Sequence, residues 1–186
     1  KDTKYPNYEI IIIDTGSIET ETFEYYETLK SYPNIRQLTL KGRFNWSKVN
    51  NWGAKHANGT VLLCLNNDIE ILDPLWLNEL VGWAMRPEIG VVGTRLLYPN
   101  GKIQHNGIIL GLDGHGSHLF EGEQENRYGI FGSTDWVRNC SAVTGACLMV
   151  RKDLFDRLSG FDELYDVSYS DIEFCLRVND LGYRNI

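Results

Sequence analysis

The sequence predicts a single α/β domain built on a largely parallel sheet, and three observations lead to this fold class. First, stretches such as residues 10–13 and 61–65 are apolar without alternation, as in strands that are buried on both faces. Second, segments with helical patterning lie between the strands, an order typical of parallel sheets that are covered by helices. Third, the length of 186 residues suits one domain with one core.

The predicted strands share uninterrupted aliphatic and β-branched residues, and they cover residues 8–13, 35–40, 61–65, 89–93 and 148–150. The predicted helices cover residues 21–31, 47–56, 74–85, 151–158 and 170–181. Ser47 is a candidate N-cap, and Asp73 followed by Pro74 favours a helix that begins at the proline. Gly182 ends the last helix.

The stretch from residue 98 to residue 135 differs from the rest, because it is rich in glycine and lacks helical patterning. This composition predicts short strands joined by long loops. Three of the four histidines, His105, His115 and His118, lie in this stretch. Their uneven spacing matches no recognised ligand pattern, so solvated loop residues are favoured over a second metal site.

Composition argues against some classes of function. Lys and Arg number 18 against 25 Asp and Glu, and the resulting net charge of −7 argues against nonspecific binding to nucleic acid. No apolar run approaches the ~20 residues of a membrane-spanning helix. The four cysteines lack the spacing of a zinc site, so we expect reduced thiols in a cytoplasmic protein.

Polar side chains follow two of the predicted strands directly, at the ends where open α/β sheets bind ligands. Residues 14–17 (Asp-Thr-Gly-Ser) follow the first strand, and residues 66–68 (Asn-Asn-Asp) follow the strand at 61–65. Hard divalent cations prefer oxygen ligands, so Asp68 is a candidate metal ligand. A polar turn explains residues 66–68 equally well, and both interpretations stay open.

A series of short motifs occurs in order along most of the chain. They are residues 5–17, the Asn-Trp-Gly of 51–53, the Ala-Asn-Gly of 57–59, residues 65–68, residues 143–150, the Gly-Phe-Asp-Glu of 160–163 and the Ser-Asp-Ile-Glu of 170–173. Together they resemble family 2 glycosyltransferases with the GT-A fold, a Rossmann-like α/β architecture of nucleotide-diphospho-sugar transferases. Residues 96–112 are similar to rhamnosyltransferase-like members.

The resemblance implies an inverting transfer of a sugar from a nucleotide-diphospho-sugar donor to a glycan or lipid-linked saccharide acceptor. It implies that Asp68 binds a divalent cation, Mg²⁺ or Mn²⁺, which offsets the charge of the leaving diphosphate. Asn66 stands where the family has the first Asp of its motif, and an amide can still bind the donor's ribose. The replacement removes one negative charge, so we expect weaker metal affinity.

The resemblance also implies that Asp171 is the general base, which takes the proton of the acceptor hydroxyl. Ser170 stands where many members have Glu, so the family's motif is incomplete in this chain. Carboxylates here also favour the first turn of a helix, which is the structural alternative. Glu173 is a further candidate, for orienting the acceptor.

Four more positions match the donor side of the family's site. Asp14 matches an acidic residue that holds the nucleotide base or ribose, with a turn-forming role as the alternative. Gly16 supplies backbone freedom in either case. Asn51 matches a helix that lines the donor site, and structural packing is equally open. Gly145 is small where the family brings the donor sugar close to the backbone.

The acceptor side depends on fewer signals. Gln104 and His105 follow a predicted turn, from which they can reach an acceptor. Trp136 lies beside Asp135 and Arg138 in the sequence, and its aromatic face can stack on a sugar. Packing in the core is the alternative for this tryptophan.

The resemblance also defines an expected organisation. Residues 1–95 are predicted to form the nucleotide-sugar-binding half of the domain, and residues 96–186 the acceptor-side half. The strand, loop and helix with which the family begins are missing, which predicts a truncated fragment whose first strand has an exposed edge. Such an edge favours self-association. We expect a location in the cytoplasm or at the inner face of the membrane.

Two other functions fit parts of the pattern. A noncatalytic carbohydrate-binding or scaffold remnant of the fold would explain the replacements at Asn66 and Ser170. A nucleotidyltransferase also uses a metal and a nucleotide, but it requires a glycine-rich basic loop to hold a triphosphate, and this sequence contains none.

Overall fold

The computed structural model describes residues 3–112 and 115–186 and confirms an α/β domain. The helices are α1 (Thr20–Leu29), α2 (Trp46–His56), α3 (Trp76–Ala84), α4 (Lys152–Arg157) and α5 (Ser170–Asp180). The strands are β1 (Ile10–Asp14), β2 (Ile35–Thr39), β3 (Val61–Leu65), β4 (Ile89–Gly93), β5 (Leu96–Leu97), β6 (Ile103–His105), β7 (Ile108–Leu112), β8 (His115–His118), β9 (Tyr128–Gly129), β10 (Gly132–Ser133), β11 (Cys147–Arg151) and β12 (Arg184–Asn185). Each helix and strand with predicted bounds is present, with ends that differ by no more than two residues.

A four-stranded sheet in the order β12-β4-β11-β3 forms the centre of the domain. β12 is parallel to β4, whereas β11 is antiparallel to both β3 and β4. Three of the four strands therefore run in one direction, whereas β11 is reversed and both of its pairings are antiparallel, so the sheet is mixed. Leu148 of β11 pairs with Gly93, so residues 94–146 return the chain to the edge that it left at the end of β4. A strand that re-enters from the same edge must run in the opposite direction.

Helices cover both faces of this sheet. One face packs against α2, α4 and α5 in a cluster that includes Leu148, Phe155 and Phe174. The other face packs against α3, where Leu80 contacts the cluster around Met149. β4 and β11 are thus buried from both sides, which explains their unbroken apolar sequence. None of the helices in the described residues is long and apolar enough to cross a membrane.

β1 and β2 form a separate parallel pair. Gly53 lets α2 approach β1 closely, since a Cβ at this position would lie 2.6 Å from Cδ1 of Ile13. Glu9 accepts hydrogen bonds from the backbone N–H groups of Asn58 and Gly59 at 2.5 and 3.2 Å, which joins the pair to the turn before β3. Within the described residues β1 pairs only with β2 and β3 only with β11, so each strand has one free edge.

The glycine-rich stretch, with β5 just before it, forms the small antiparallel pairs β5–β6, β7–β8 and β9–β10, in agreement with the predicted short strands and loops. His105 lies in β6 and His118 lies in β8. This corrects the expectation that these two histidines are solvated loop residues. The four cysteines of the chain are free thiols, as expected.

The N-terminus of α2 differs from the prediction. Asn45 caps this helix, since its side chain accepts a hydrogen bond from the backbone N–H of Lys48 at 2.7 Å. Ser47, the predicted cap, is instead buried, and its Oγ donates to the carbonyl of Tyr165 at 2.7 Å. The serine therefore ties α2 to the loop before α5, a contact that the local sequence does not encode.

Asn51 joins α2 to the loop that follows α4. Its Nδ2 donates to the carbonyl of Phe161 and its Oδ1 accepts from the N–H of Phe161, both at 2.8 Å. Gly160 has a φ of +74°, and a Cβ on this residue would collide with Oδ1 of Asn51. Both polar atoms of Asn51 are thus engaged inside the protein. These bonds support the packing alternative, and contact of Asn51 with the donor stays a prediction.

A pair of histidines joins β6, β8 and residue 144. Nδ1 of His105 lies 2.8 Å from Nδ1 of His118, and Nε2 of His105 accepts from the N–H groups of Gly107 and Thr144 at 3.3 and 3.4 Å. Because Nε2 accepts, we assign the proton of His105 to Nδ1, which donates to His118. Burial, with a smaller contribution from the nearby His118, lowers the pKa of His105 from 6.5 to about 3. His105 is 1% exposed and lines a cavity described below, and its contact with an acceptor stays a prediction.

Replacing Asn51 with leucine is expected to destabilise the fold. The change leaves the buried N–H and C=O groups of Phe161 without partners, at a cost of roughly 2–5 kcal/mol in the free energy of unfolding. Urea denaturation measures the loss. The same substitution at Asn78, which is exposed on α3, is the control and is expected to change stability by less than about 0.5 kcal/mol. Equal losses in the two variants would contradict the role assigned to Asn51.

The buried His105 predicts a pH dependence of stability. Its pKa is lower in the folded chain, so the unfolded state binds more protons between pH 6.5 and about pH 3. The stability that depends on neutral His105 is present above pH 6.5 and is lost as the pH falls, with a limiting slope of about 1.4 kcal/mol per pH unit. In H105Q an amide oxygen can replace Nε2 as the acceptor. We therefore expect the free energy of unfolding, measured by urea denaturation at a series of pH values, to fall less steeply toward acid pH in this variant. Equal slopes of the free energy of unfolding against pH for the two proteins would refute this prediction.

Candidate active site

The candidate site lies at one edge of the central sheet. β3 and β4 end at this edge with Leu65 and Gly93, and β11 begins there with Cys147. The backbone N–H of Asn66 donates to the carbonyl of Ala146 at 2.9 Å. The loop after β3 and the segment before β11 therefore lie against each other, at the edge where α/β sheets bind their ligands.

Residues 66–68 form an exposed loop directly after β3. The side chains of Asn66 and Asp68 are exposed, and neither makes a hydrogen bond or ion pair with a described residue. A carboxylate without a protein partner is free to bind a hard cation. Among residues 3–112 and 115–186 no cluster of three or more metal-binding side chains supplements Asp68. The loop fits a divalent ion that takes one protein carboxylate and keeps several waters.

Asp171 lies in the first turn of α5 and contacts the segment before β11 directly. Its Oδ2 accepts a hydrogen bond from the backbone N–H of Gly145 at 2.7 Å, and its Oδ1 accepts one from Ile172 at 2.9 Å. The residue is partly exposed. Each carboxylate oxygen keeps a lone pair, so the group can still accept a proton from a hydroxyl.

The residue that precedes α5 is strained. Tyr169, its N-cap, has a φ of +67°, which is unusual for a residue with a bulky side chain. Ser170 follows and is 2% exposed, so the serine that replaces the family's Glu is buried in this chain. Sequence reasoning missed Tyr169, because no local pattern predicts a left-handed tyrosine.

Asp14 ends β1 and closes the turn that follows it. Its Oδ1 accepts from the backbone N–H groups of Gly16 and Ser17 at 3.2 and 2.9 Å. Hydrogen bonds from Ser17, with a smaller contribution from Gly16, hold the pKa of Asp14 below its usual range. Gly16 has a φ of +132°, the backbone freedom that was predicted. The turn-forming role is present, and contact of Asp14 and Gly16 with a donor stays a prediction.

Gly145 has no room for a side chain. A Cβ at this position would lie 2.6 Å from Cζ2 of Trp46, whose ring packs against that of Phe161 with 4.8 Å between centroids. Gly145 can thus lie under the indole while its N–H reaches Asp171. Sequence analysis did not single out Trp46, and contact of Gly145 with a donor sugar stays a prediction.

Glu173 is held in an ion pair with Arg177, one turn further along α5. Its Oε1 lies 2.5 Å from Nε and its Oε2 lies 2.8 Å from Nη2 of the arginine. Arg177 also donates to the carbonyls of Leu158 and Gly160, so the pair secures the loop after α4. The ion pair fixes the position of Glu173, and its role toward an acceptor stays a prediction.

A cavity of about 240 Å³ opens at the end of β4, between α3 and residues 133–138. Trp136 lines it and is 55% exposed, so this residue is not part of the packed core. Trp83 and Arg95 line it as well; sequence analysis missed them, because no motif marks either residue. Gln104 is exposed on β6 outside the cavity, and its role toward an acceptor stays a prediction.

Comparison with known proteins identifies the family. The sequence profile of Glycosyl transferase family 2 matches residues 1–159 of the chain. The O-antigen biosynthesis protein RfbC of Myxococcus xanthus is 44% identical over 183 residues, which are 98% of this chain and 14% of that protein. The chain therefore spans about a seventh of the length of this curated relative.

Solved glycosyltransferase structures share the fold. GalNAc-T7, solved with UDP, GalNAc and Mn²⁺, superposes with a TM-score of 0.71 at 17% identity, over 95% of this chain and 35% of that chain. The mannosyltransferase PcManGT from Pyrobaculum calidifontis, in complex with GDP-Man and Mn²⁺, gives a TM-score of 0.67 at 16% identity, over 100% of this chain and 47% of that chain. The GT-A fold expected from the sequence is confirmed, and the chain belongs to glycosyl transferase family 2.

Proposed function

We propose that the chain is the catalytic part of an inverting glycosyltransferase, which moves a sugar from a nucleotide-diphospho-sugar to a glycan or lipid-linked saccharide. The observation that carries the proposal is that the loop of Asp68 and the side chain of Asp171 both form hydrogen bonds to residues 145–146. Asn66, in the loop of Asp68, bonds to Ala146, and Asp171 bonds to the N–H of residue 145. A candidate cation ligand and a candidate base are thus held at one edge of the sheet, as a reaction between two bound substrates requires.

The donor side is assigned to the residues that follow β1 and β3. Asp68 would hold a divalent cation, Mg²⁺ or Mn²⁺, and Asn66 can hydrogen-bond a ribose hydroxyl. When bound, the cation offsets the negative charge that the leaving diphosphate gains. The complexes of GalNAc-T7 with UDP and Mn²⁺ and of PcManGT with GDP-Man and Mn²⁺ support this combination of ligands. Because Asn66 removes one carboxylate from the loop, we propose that the cation is held weakly.

On the acceptor side, Asp171 takes the proton of the attacking hydroxyl. The N–H of Gly145 orients the carboxylate and leaves it lone pairs for the proton. The proton leaves as the acceptor oxygen attacks the anomeric carbon from the face opposite the leaving diphosphate, so the configuration of that carbon is inverted.

The wider context of the reaction is also a proposal. The name of the RfbC relative, an O-antigen biosynthesis protein, supports an acceptor that belongs to a cell-surface polysaccharide. The division into donor and acceptor halves, the cytoplasmic location and self-association through the free edge of β1 stay predictions. Family membership favours transfer of a sugar over transfer of a nucleotide.

Replacing Asp68 with asparagine is expected to weaken the metal dependence of donor turnover. The variant keeps the shape of the side chain but loses its charge. We therefore expect the Mn²⁺ concentration that gives half-maximal hydrolysis of UDP-, GDP- or dTDP-sugars to rise by about tenfold or more. Chromatography of the released nucleotide at a series of Mn²⁺ concentrations measures the change. Asp156→Asn, on an exposed position of α4, is the matched control and is expected to behave like the parent. Identical Mn²⁺ curves for the D68N variant and the parent would contradict the assignment, and a parent without turnover favours the scaffold alternative.

Replacing Asp171 with asparagine is expected to lower kcat by about 10²–10⁴-fold, because the amide cannot take the proton. The amide oxygen can still accept from the N–H of Gly145, so we expect the KM for the donor and the Mn²⁺ dependence to stay near those of the parent. Steady-state kinetics with the best nucleotide sugar measure both constants. Asp180→Asn, exposed at the end of α5, is the control. A large rise in KM with an unchanged kcat would favour the helix-terminus alternative over the role of base.

A further inference from the structure

The cavity at the end of β4 is separate from the loop of Asp68, since none of residues 66–68 lines it. Its volume is about 240 Å³. Pockets for drug-sized ligands measure ~300–1,000 Å³, so this one is too small for a complete nucleotide-diphospho-sugar. A single pyranose ring is a ligand of suitable size.

Trp136 gives the cavity a fixed aromatic wall. Its ring packs on Gly132, where a Cβ would lie 2.6 Å from Cζ3, and it meets the ring of Tyr128 edge to face with 5.5 Å between centroids. The residue nevertheless leaves 55% of its surface exposed. Trp83 is a second lining indole, and the guanidinium of Arg86 lies 3.8 Å from the centre of its ring. Rigid aromatic rings of this kind attract the C–H groups on one face of a pyranose.

The charges around the cavity favour a neutral ligand. The lining side chains Glu79 and Asp135 balance Arg95 and Arg138. Arg95 is engaged by the carboxylates of Asp135 and Glu125, both at 2.6 Å, and Arg138 donates to two backbone carbonyls. Arg95 is therefore not free for a phosphate, and the one N–H group of Arg138 that lacks a partner, at Nε, is buried, so neither residue offers the open charged fork that a phosphate needs. The carboxylates can still accept hydrogen bonds from sugar hydroxyls.

Two residues of chain separate the lining of the cavity from the backbone partner of the candidate base. Val143 lines the cavity, and Gly145, two residues further along the chain, donates its N–H to Asp171 at 2.7 Å. Two residues span at most ~7 Å of extended chain. The Cα of Gly145, the backbone partner of Asp171, therefore lies within ~7 Å of the Cα of Val143, although Gly145 and Asp171 do not line the cavity themselves.

From these observations we propose that the cavity is a subsite for the acceptor, which binds one neutral pyranose residue of the acceptor glycan against Trp136. The inference rests on the proposed glycosyltransferase function and gives the chemical class of the second substrate. Trp83 and Arg95 complete the subsite, and Gly132 positions the Trp136 ring.

Fluorine NMR of the protein labelled with 5-fluorotryptophan tests the subsite directly. The chain has five tryptophans, and the W136F and W83F variants assign the two resonances of the cavity. Methyl glycosides of glucose, galactose, mannose and rhamnose are added without donor. At least one is expected to shift the Trp136 and Trp83 resonances, whereas Trp52 and Trp76, which lie outside the lining, stay in place. No shift of Trp136 with any glycoside up to its solubility limit overturns the proposal, and a shift with sodium phosphate alone does the same.

Variants then connect the subsite to the reaction. With the glycoside that shifts Trp136 as acceptor, W136A is expected to lower the ratio of transfer to donor hydrolysis by about tenfold. W136F is expected to recover part of this ratio, because a phenyl ring still offers a face for stacking. Tyr25→Ala removes an exposed aromatic ring from α1 and is the control.

The two proposals fail in different ways. An unchanged ratio in W136A overturns the subsite while the transferase function stands. Glycoside-induced shifts at Trp136, in a protein that turns over no nucleotide sugar, support the subsite and overturn the proposed transfer.

Discussion

The backbone of residues 144–146 holds the candidate site together through three hydrogen bonds. Residue 144 donates to the buried His105, residue 145 donates to Asp171, and residue 146 accepts from Asn66. The group that residues 144–146 contribute to each bond belongs to the main chain. The geometry of these bonds therefore depends on the backbone path of the segment and not on its side chains. That path requires a glycine at position 145, because Trp46 fills the space that a Cβ would need. The loop of the candidate cation ligand, the candidate base and the histidine pair share this one support.

The reversal of β11 explains why donors of hydrogen bonds are present at this edge. A parallel strand would end beside β3 and β4, whereas β11 begins there. The segment that leads into it crosses the edge and presents the N–H groups of Thr144 and Gly145 to neighbouring acceptors. One reversed strand in a mixed sheet thus brings backbone donors and the carboxylate of Asp171 together. His105 contributes only while it is neutral, because a protonated ring cannot accept from Thr144.

The polar residues that match the family's motifs fall into two groups, those whose side chains are engaged inside the protein and those whose side chains have no protein partner. Asn51 bonds to Phe161 through both polar atoms, and Glu173 forms an ion pair with Arg177, so each fixes the loop after α4. Asp68 has no partner among the described residues and keeps its full capacity. Asp171 lies between these cases, since neutral N–H groups orient its oxygens and no described cation pairs with its charge, as Arg177 does with Glu173. Side chains whose hydrogen-bonding groups are not fully engaged by the fold can bind a ligand or take part in proton transfer.

The sequence by itself determined the helices and strands, the family and the two carboxylates of the candidate site. Apolar runs and helical periodicity are local, and the motifs around Asp68 and Asp171 keep their order along the chain. Only the tertiary structure decided the reversal of β11, the structural role of Asn51 and the cavity beside Trp136. Each of these depends on contacts between distant residues, as in the bond from Asn51 to a carbonyl 110 positions away. Local patterns carry no information about such pairs, because packing of the whole chain brings them together.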